Sequence, residues 1–242
     1  MKRIKTGLII LMGLILLLPV NACTAFNSRE DLSEIIDEHT FIDDTGQKFV
    51  IDSPYQRIIT LYSAHTENLF SLGAGDKVIG VAATSTYPPP AAFLPRYDYK
   101  TDPEPVIAAE PDLVILRPFI NRNYPDFVKA LKNAGLNVVS LYPATNDDFA
   151  KYIRILAMLT GTEKQAQIEL EGLKQRIAAI EAKVSHIQDK PTVFFEATEK
   201  NYRTITVDSN PARAIESAGG INIAADVVPI EKGSTIAEYG IE

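Results

Sequence analysis

The stretch Arg57–Ala82, RIITLYSAHTENLFSLGAGDKVIGVA, decides the fold. Ile58 to Tyr62 is an apolar run that leads straight into a helix start at Ser63, with Glu67 on that helix's first turn. Gly73 and Gly75 close the helix, and Val78 to Ala82 supplies a second apolar run. Short runs of continuous rather than alternating hydrophobicity suit strands covered on both faces, so the stretch reads as a strand–helix–strand unit with its polar groups at one end. A later segment, NPARAIESAGGINIA (Asn210–Ala224), repeats the theme with Glu216. Two outward carboxylates on two such units point to a docking surface rather than a reaction centre.

Working outward, Leu113–Leu116 and Val138–Leu141 are two further apolar runs bounded by turn residues. Between the runs lie helical patterns at Thr66–Leu72, Val106–Ala109 and Tyr124–Ala134, the last closed by Gly135. Alternation of this kind predicts an α/β sheet with right-handed crossovers. Upstream, Phe41-Ile42 and Phe49-Val50-Ile51 flank Asp43-Asp44-Thr45-Gly46, a hairpin turn signal. From Asp147 the pattern becomes helical. Asn146-Asp147-Asp148 offers a cap, and Thr160-Gly161-Thr162 interrupts the run with a fresh one. A second helix then spans Glu163 to about Ile187, with Ala166, Leu170, Leu173, Ile177, Ile180 and Val184 on one face. At 1.5 Å per residue it is about 35 Å long, the width of a small domain. Strands at Thr192–Glu196 and Thr204–Val207 and a helix at Asn210–Ser217 follow, and the chain ends on an amphipathic helical pattern. The expected organisation is a segment 1–22 removed on export, a tether 23–39, an α/β lobe 40–146, a helical connection 147–187 and a second α/β lobe 188–242 that reads as truncated.

The first residues bear on location. Lys2, Arg3 and Lys5 precede Gly7–Val20, an apolar run of fourteen residues. That is too short for a spanning helix and right for a signal-peptide core. Ala22 before Cys23, the sole cysteine, resembles the lipobox of bacterial lipoproteins, which implies cleavage after Ala22 and diacylglycerol on the Cys23 thiol. An ordinary secretory signal with an incidental cysteine is the alternative. One cysteine excludes an internal disulfide. The net charge of −7, with no Lys/Arg cluster after residue 5, argues against nucleic-acid binding.

Enzyme motifs are missing. Gly73-Ala74-Gly75 lacks the third glycine and helix start of a dinucleotide loop, and no phosphate-loop signature or Gly-x-Ser-x-Gly elbow occurs. The three histidines, His39, His65 and His186, lack metal-ligand spacing; His65 reads as a helix-surface residue. Asp43-Asp44 and Asp147-Asp148 fall at turns and caps.

Four segments together resemble a family, the substrate-binding lipoproteins of ABC importers for iron–siderophore complexes, haem and cobalamin. They are Arg57–Val81, the Pro105–Leu116 run PVIAAEPDLVIL, the helix Gly161–Val184, and Ala214–Ile223, AIESAGGINI. The resemblance implies two Rossmann-like lobes joined by one rigid helix, and no enzymatic activity. It implies capture of a metal chelate between the lobes and delivery to a membrane permease with its ATPase. Glu67 and Glu216 match the family's glutamates that pair with permease arginines; helix capping by Ser63 and Glu67 is the local alternative. A ligand at the carboxyl ends of the strands draws Tyr62, Ser63, Thr86, Tyr87, Arg117 and Phe119 from the first lobe and Tyr202 and Arg203 from the second. No resident cofactor is expected, with metal only inside a bound chelate. The protein is expected as a monomer, extracytoplasmic and held to the membrane by its lipid. A receptor for a bare metal ion or oxyanion, or a sensor lipoprotein without transport, are the alternatives.

Overall fold

The computed structural model of the chain describes residues 33–143, 145–198, 202–231 and 234–240. The expected signal peptide and Cys23 lie outside the described residues. An antiparallel meander comes first: β1 (Glu34–Asp37), β2 (Thr40–Ile42) and β3 (Lys48–Val50). β1 corrects the expected tether, whose last residues are sheet: Ile35 packs against the lobe core and pairs with Phe41. The predicted turn joins β2 to β3 and does more than reverse the chain. Asp43 is buried, and its Oδ1 accepts from Thr45 N (2.9 Å), Thr45 Oγ1 (2.6 Å) and Gln47 N (3.0 Å). Its Oδ2 accepts from Ser140 N (3.0 Å), which clamps the turn onto the sheet. Asp43→Asn would set an amide donor against one of these N–H groups. It is expected to lower stability by about 2 kcal/mol, read as a shift of the urea midpoint at unchanged slope; an unmoved midpoint would refute the clamp.

The lobe's main sheet follows: β4 (Ile58–Thr60), α1 (Ser63–Ser71), β5 (Val78–Ala82), β6 (Arg96–Tyr97), α2 (Glu104–Ala108), β7 (Leu113–Leu116), α3 (Pro118–Asn123), α4 (Pro125–Asn133) and β8 (Asn137–Ser140). All five strands run parallel in the order β6-β5-β4-β7-β8. Successive side chains alternate between faces, and both faces are covered, which is why the strands read as continuous apolar runs. Ile58, Leu113, Ile115 and Val139 join Leu69 and Leu72 of α1 in one core. Ile59, Val114, Leu116 and Val138 join Val106, Ile120, Phe127 and Leu131 of α2, α3 and α4 in the other. At β5 the absence of a side chain is required: a Cβ on Gly80 would lie 2.3 Å from the Tyr97 ring.

Two helices leave the lobe. α5 (Asn146–Thr160) has Thr145 as its N-cap, one residue before the expected Asn146-Asp147-Asp148 segment, in a reciprocal capping box with Asp148 of that segment. It ends at Gly161, whose left-handed φ of 69° and close Pro54 ring exclude other residues. α6 (Glu163–Val184), about 33 Å long, starts at Thr162 without a side-chain cap bond. Of its predicted apolar face Ala166 is buried, Leu170, Leu173, Ile177 and Val184 are half-buried, and Ile180 is exposed.

The second α/β part is smaller. β9 (Thr192–Val193) pairs in parallel with β11 (Ile221–Asn222), and β10 (Arg203–Ile205) pairs antiparallel with β12 (Ile236–Glu238). Both predicted strands of this part are thus shorter than expected, and the last described element is a strand where a helix was expected. α7 (Asn210–Ser217) lies where predicted, capped by Ser209, whose Oγ accepts from Ala212 N (3.2 Å).

Candidate functional site

The parallel arrangement delivers one polar or aromatic residue from each central strand to the same edge. β4 leads into Tyr62, β7 into Arg117, β8 into Tyr142 and β5 into Thr84. Arg117 has extended backbone, and Pro118 starts α3 directly after it. Its guanidinium lies 4.7 Å from the centroid of the Tyr62 ring and 4.8 Å from that of Phe119. This is cation–π distance to each ring. Tyr142 stands 6.2 Å from Tyr62 and is 39% exposed. Burial pushes the Tyr62 hydroxyl up from its usual range, and the Arg117 guanidinium partly offsets this. Among the described residues no carboxylate lies within 4.0 Å of Arg117, so its charge faces the rim without an acidic partner.

Hydroxyl groups border this aromatic cluster. Ser63 Oγ and Thr84 Oγ1 are 3.2 Å apart, Thr66 Oγ1 lies 3.2 Å from Ser85 Oγ and 2.7 Å from Thr60 Oγ1. Arg96 Nη1 donates to the carbonyls of Ser85 (2.7 Å) and Ala83 (3.1 Å), which fixes the loop after β5.

Beneath the rim, His65 corrects its expected surface placement. It is fully buried, with Nδ1 2.8 Å from Tyr152 Oη and Nε2 3.2 Å from the Leu116 carbonyl. The carbonyl can only accept, so Nε2 carries the proton and Nδ1 accepts from the Tyr152 hydroxyl. Asn68 Nδ2 also donates to Tyr152 Oη (3.2 Å). Burial pushes His65 down to about 4 and Tyr152 well above its usual range. With both ring nitrogens engaged, His65 has no position left for a metal. Among the described residues no three His, Cys, Asp or Glu side chains come together.

The expected site residues divide. Tyr62, Ser63, Arg117 and Phe119 lie together on the rim. Thr86 and Tyr87 are exposed on the loop beyond it, and Thr84 rather than Thr86 reaches Ser63. Tyr142 completes the cluster and was not anticipated, although it follows its strand as Tyr62 follows β4. Tyr202 is 54% exposed at a left-handed φ of 48°, and Arg203 pairs with Glu238 at 3.6 Å. No hydrogen bond, ion pair or ring contact among the described residues joins either to the first-lobe rim.

Glu67 is exposed on the fifth residue of α1, past the first turn; Tyr62 is the capping residue, and no side-chain cap bond forms. The capping alternative for Ser63 and Glu67 is thereby removed. Glu216 is exposed near the end of α7 and borders a groove of about 380 Å³ against α6, with Glu181, Lys190 and Arg213. Ser217 Oγ donates to Glu181 Oε1 (2.9 Å) across it.

Comparison with known proteins agrees with this architecture. The family model described as periplasmic binding protein matches residues 58–234. An ABC transporter substrate-binding lipoprotein of Bacillus subtilis, YvrC, is 29% identical over 66% of this chain and 52% of its own length. A cobalamin-binding protein of Halobacterium salinarum is 31% identical over 76% of this chain and 50% of its own. The chain spans about half the length of these two relatives. The crystal structure of the periplasmic vitamin B12 binding protein BtuF of Vibrio cholerae superposes with a TM-score of 0.59 at 26% identity, covering 78% of this chain and 71% of that one. A match over most of the chain, on the parallel sheet and linker helix just described, places it in a known group: the chain belongs to the periplasmic binding protein family.

Proposed function

We propose that this protein is the receptor of an ABC importer, which captures a metal chelate of the siderophore, haem or cobalamin kind and hands it to a membrane permease with its ATPase. The observation that carries the reading is the rim at the carboxyl ends of β4, β7 and β8. There the Arg117 guanidinium, with no acidic partner among the described residues, lies against the Tyr62 and Phe119 rings, with Tyr142 beside Tyr62. Aromatic faces with one fixed guanidinium suit a large, partly anionic ligand. The roles of the relatives, a substrate-binding lipoprotein and a cobalamin-binding protein, support the same class. Ser63 and Thr84 add hydroxyls at the border, and Tyr87, Thr86, Tyr202 and Arg203 belong to the walls of the cleft. Lipid on Cys23 holds the monomer at the outer face of the membrane, and Glu67 and Glu216 face the permease.

Titration of the full chain with ferric siderophores, haemin and cyanocobalamin, followed by isothermal calorimetry, tests this. One chelate is expected to bind with a dissociation constant of about 1 μM or below. Binding of a bare divalent cation in place of every chelate, or silence across the panel, would overturn the reading.

A further inference from the structure

Glu216, the carboxylate proposed to face the permease from the second lobe, does not stand alone. It borders the groove of about 380 Å³ between α6 and α7. The linker helix lines this groove with Ile177, Glu181 and Val184, which share one helical face at steps of four and three. Ile177 and Val184 are half-buried and give it an apolar strip. Gly219 lets α7 close on α6, since a Cβ there would lie 2.8 Å from Val184 Cβ. Two carboxylates, Glu181 and Glu216, and two cations, Lys190 and Arg213, also line the groove, and all four are exposed. Arg213 and Glu216 are three apart on α7, the spacing at which opposite charges on a helix meet. Yet among the described residues none of the four takes part in an ion pair, and Glu181 accepts from the Ser217 hydroxyl instead.

Resting on the receptor reading above, we infer that the second lobe docks through this groove as a bipolar socket, and that its partner is a segment of the permease carrying one basic and one acidic side chain. The stem of the basic residue lies along Ile177 and Val184 with its charge against Glu181 and Glu216, and the acidic residue meets Arg213 and Lys190. Charge complementarity decides the partner. A permease surface bearing arginines alone would satisfy Glu216 but set like charge against Arg213 and Lys190, which disfavours the contact. The first-lobe helix differs, because α1, SAHTENLFS, carries Glu67 and no Lys or Arg. The two docking points therefore ask for different partners, cationic at the first lobe and mixed at the second, and this sets which lobe meets which patch. Through Glu181 the linker helix itself becomes part of the docking surface.

The sign of one substitution separates this socket from a purely acidic docking point. Binding of the chelate-free full chain to the permease with its ATPase, reconstituted in nanodiscs, is measured by biolayer interferometry. Arg213→Glu makes the surface more negative, so a partner bearing only arginines would hold it more tightly. The socket demands the reverse: Arg213→Glu and Lys190→Glu are each expected to weaken binding about tenfold or more. Arg213→Lys, which keeps the charge, is expected to fall between Arg213→Glu and the wild type. Urea midpoints of the variants check that the fold is kept. Unchanged or tighter binding of Arg213→Glu, with Glu216→Lys impaired, would overturn the socket and leave the receptor reading standing. Binding indifferent to Glu216→Lys as well would overturn the docking assignment along with the socket, and no binding of the wild type would overturn the receptor reading too.

Discussion

Reversing Glu67 and Glu216 together, as Glu67→Lys and Glu216→Lys, is expected to abolish permease-dependent uptake and to leave chelate affinity unchanged. Both side chains are exposed on helices of different lobes, and neither belongs to the aromatic rim. Removing one partner of a hydrogen-bonded charge pair at an interface costs 2–5 kcal/mol, or more than about thirtyfold in affinity. Lysine against the arginine proposed to meet each carboxylate on the permease adds repulsion, so two such losses bring uptake below detection. Each single reversal is expected to leave a residue of transport, since one docking point survives. Fold stability should barely move, because exposed substitutions of this kind fall within about 0.5 kcal/mol. Uptake into permease-bearing vesicles, with the chelate titration alongside, makes the measurement; transport at the wild-type level by the double variant would end the docking assignment.

How much of this was visible in the sequence follows from where each element sits. The four central strands stood out because sheet residues such as Ile58 and Ile59, or Leu113 and Val114, are buried in opposite cores, which leaves no polar alternation. β6 escaped notice because it is only Arg96 and Tyr97, at a sheet edge. β1 was hidden in an acidic stretch where only Ile35 reaches the core. At the site, Tyr62 and Arg117 are legible because each stands at the end of an apolar run, and Phe119 because it lies two residues past Arg117. Tyr142 carries the same signal, directly after Leu141. Thr84 and Thr86 cannot be told apart in sequence, because a loop of Thr and Ser has no periodicity to say where it turns inward. The pairing of Arg203 with Glu238 depends on an antiparallel strand pair far apart in sequence, which no local pattern reveals.

His65 is the clearest failure of periodicity, and it yields the second large effect: stability is expected to fall by roughly 3 kcal/mol between pH 6.5 and pH 4 through this one residue. The buried positions of α1 are His65, Thr66 and Leu69, so its inward face is mostly polar and reads as surface. In the folded protein the imidazole takes a proton only near pH 4, against 6.5 for an unrestrained histidine. Above pH 6.5 both states are neutral and His65 gives no pH slope. Between 6.5 and 4 the unfolded chain holds a proton that the folded chain refuses, so stability falls as pH falls. Below about 4 both states are protonated and the loss is complete. His65→Gln keeps a donor for the Leu116 carbonyl and an acceptor for Tyr152 but cannot titrate. Its urea midpoints at pH 7, 5.5 and 4 are expected to decline less steeply than those of the wild type by that amount; parallel declines would refute a buried neutral imidazole. The consequence reaches the rim, because the Tyr62 ring meets His65 edge-on at 5.2 Å. Protonation turns Nδ1 from acceptor into donor, so the Tyr152 hydroxyl must stop donating to it and reorient beside the ring that lies against Arg117; chelate affinity should therefore decline over the same pH interval in the wild type and hold in His65→Gln.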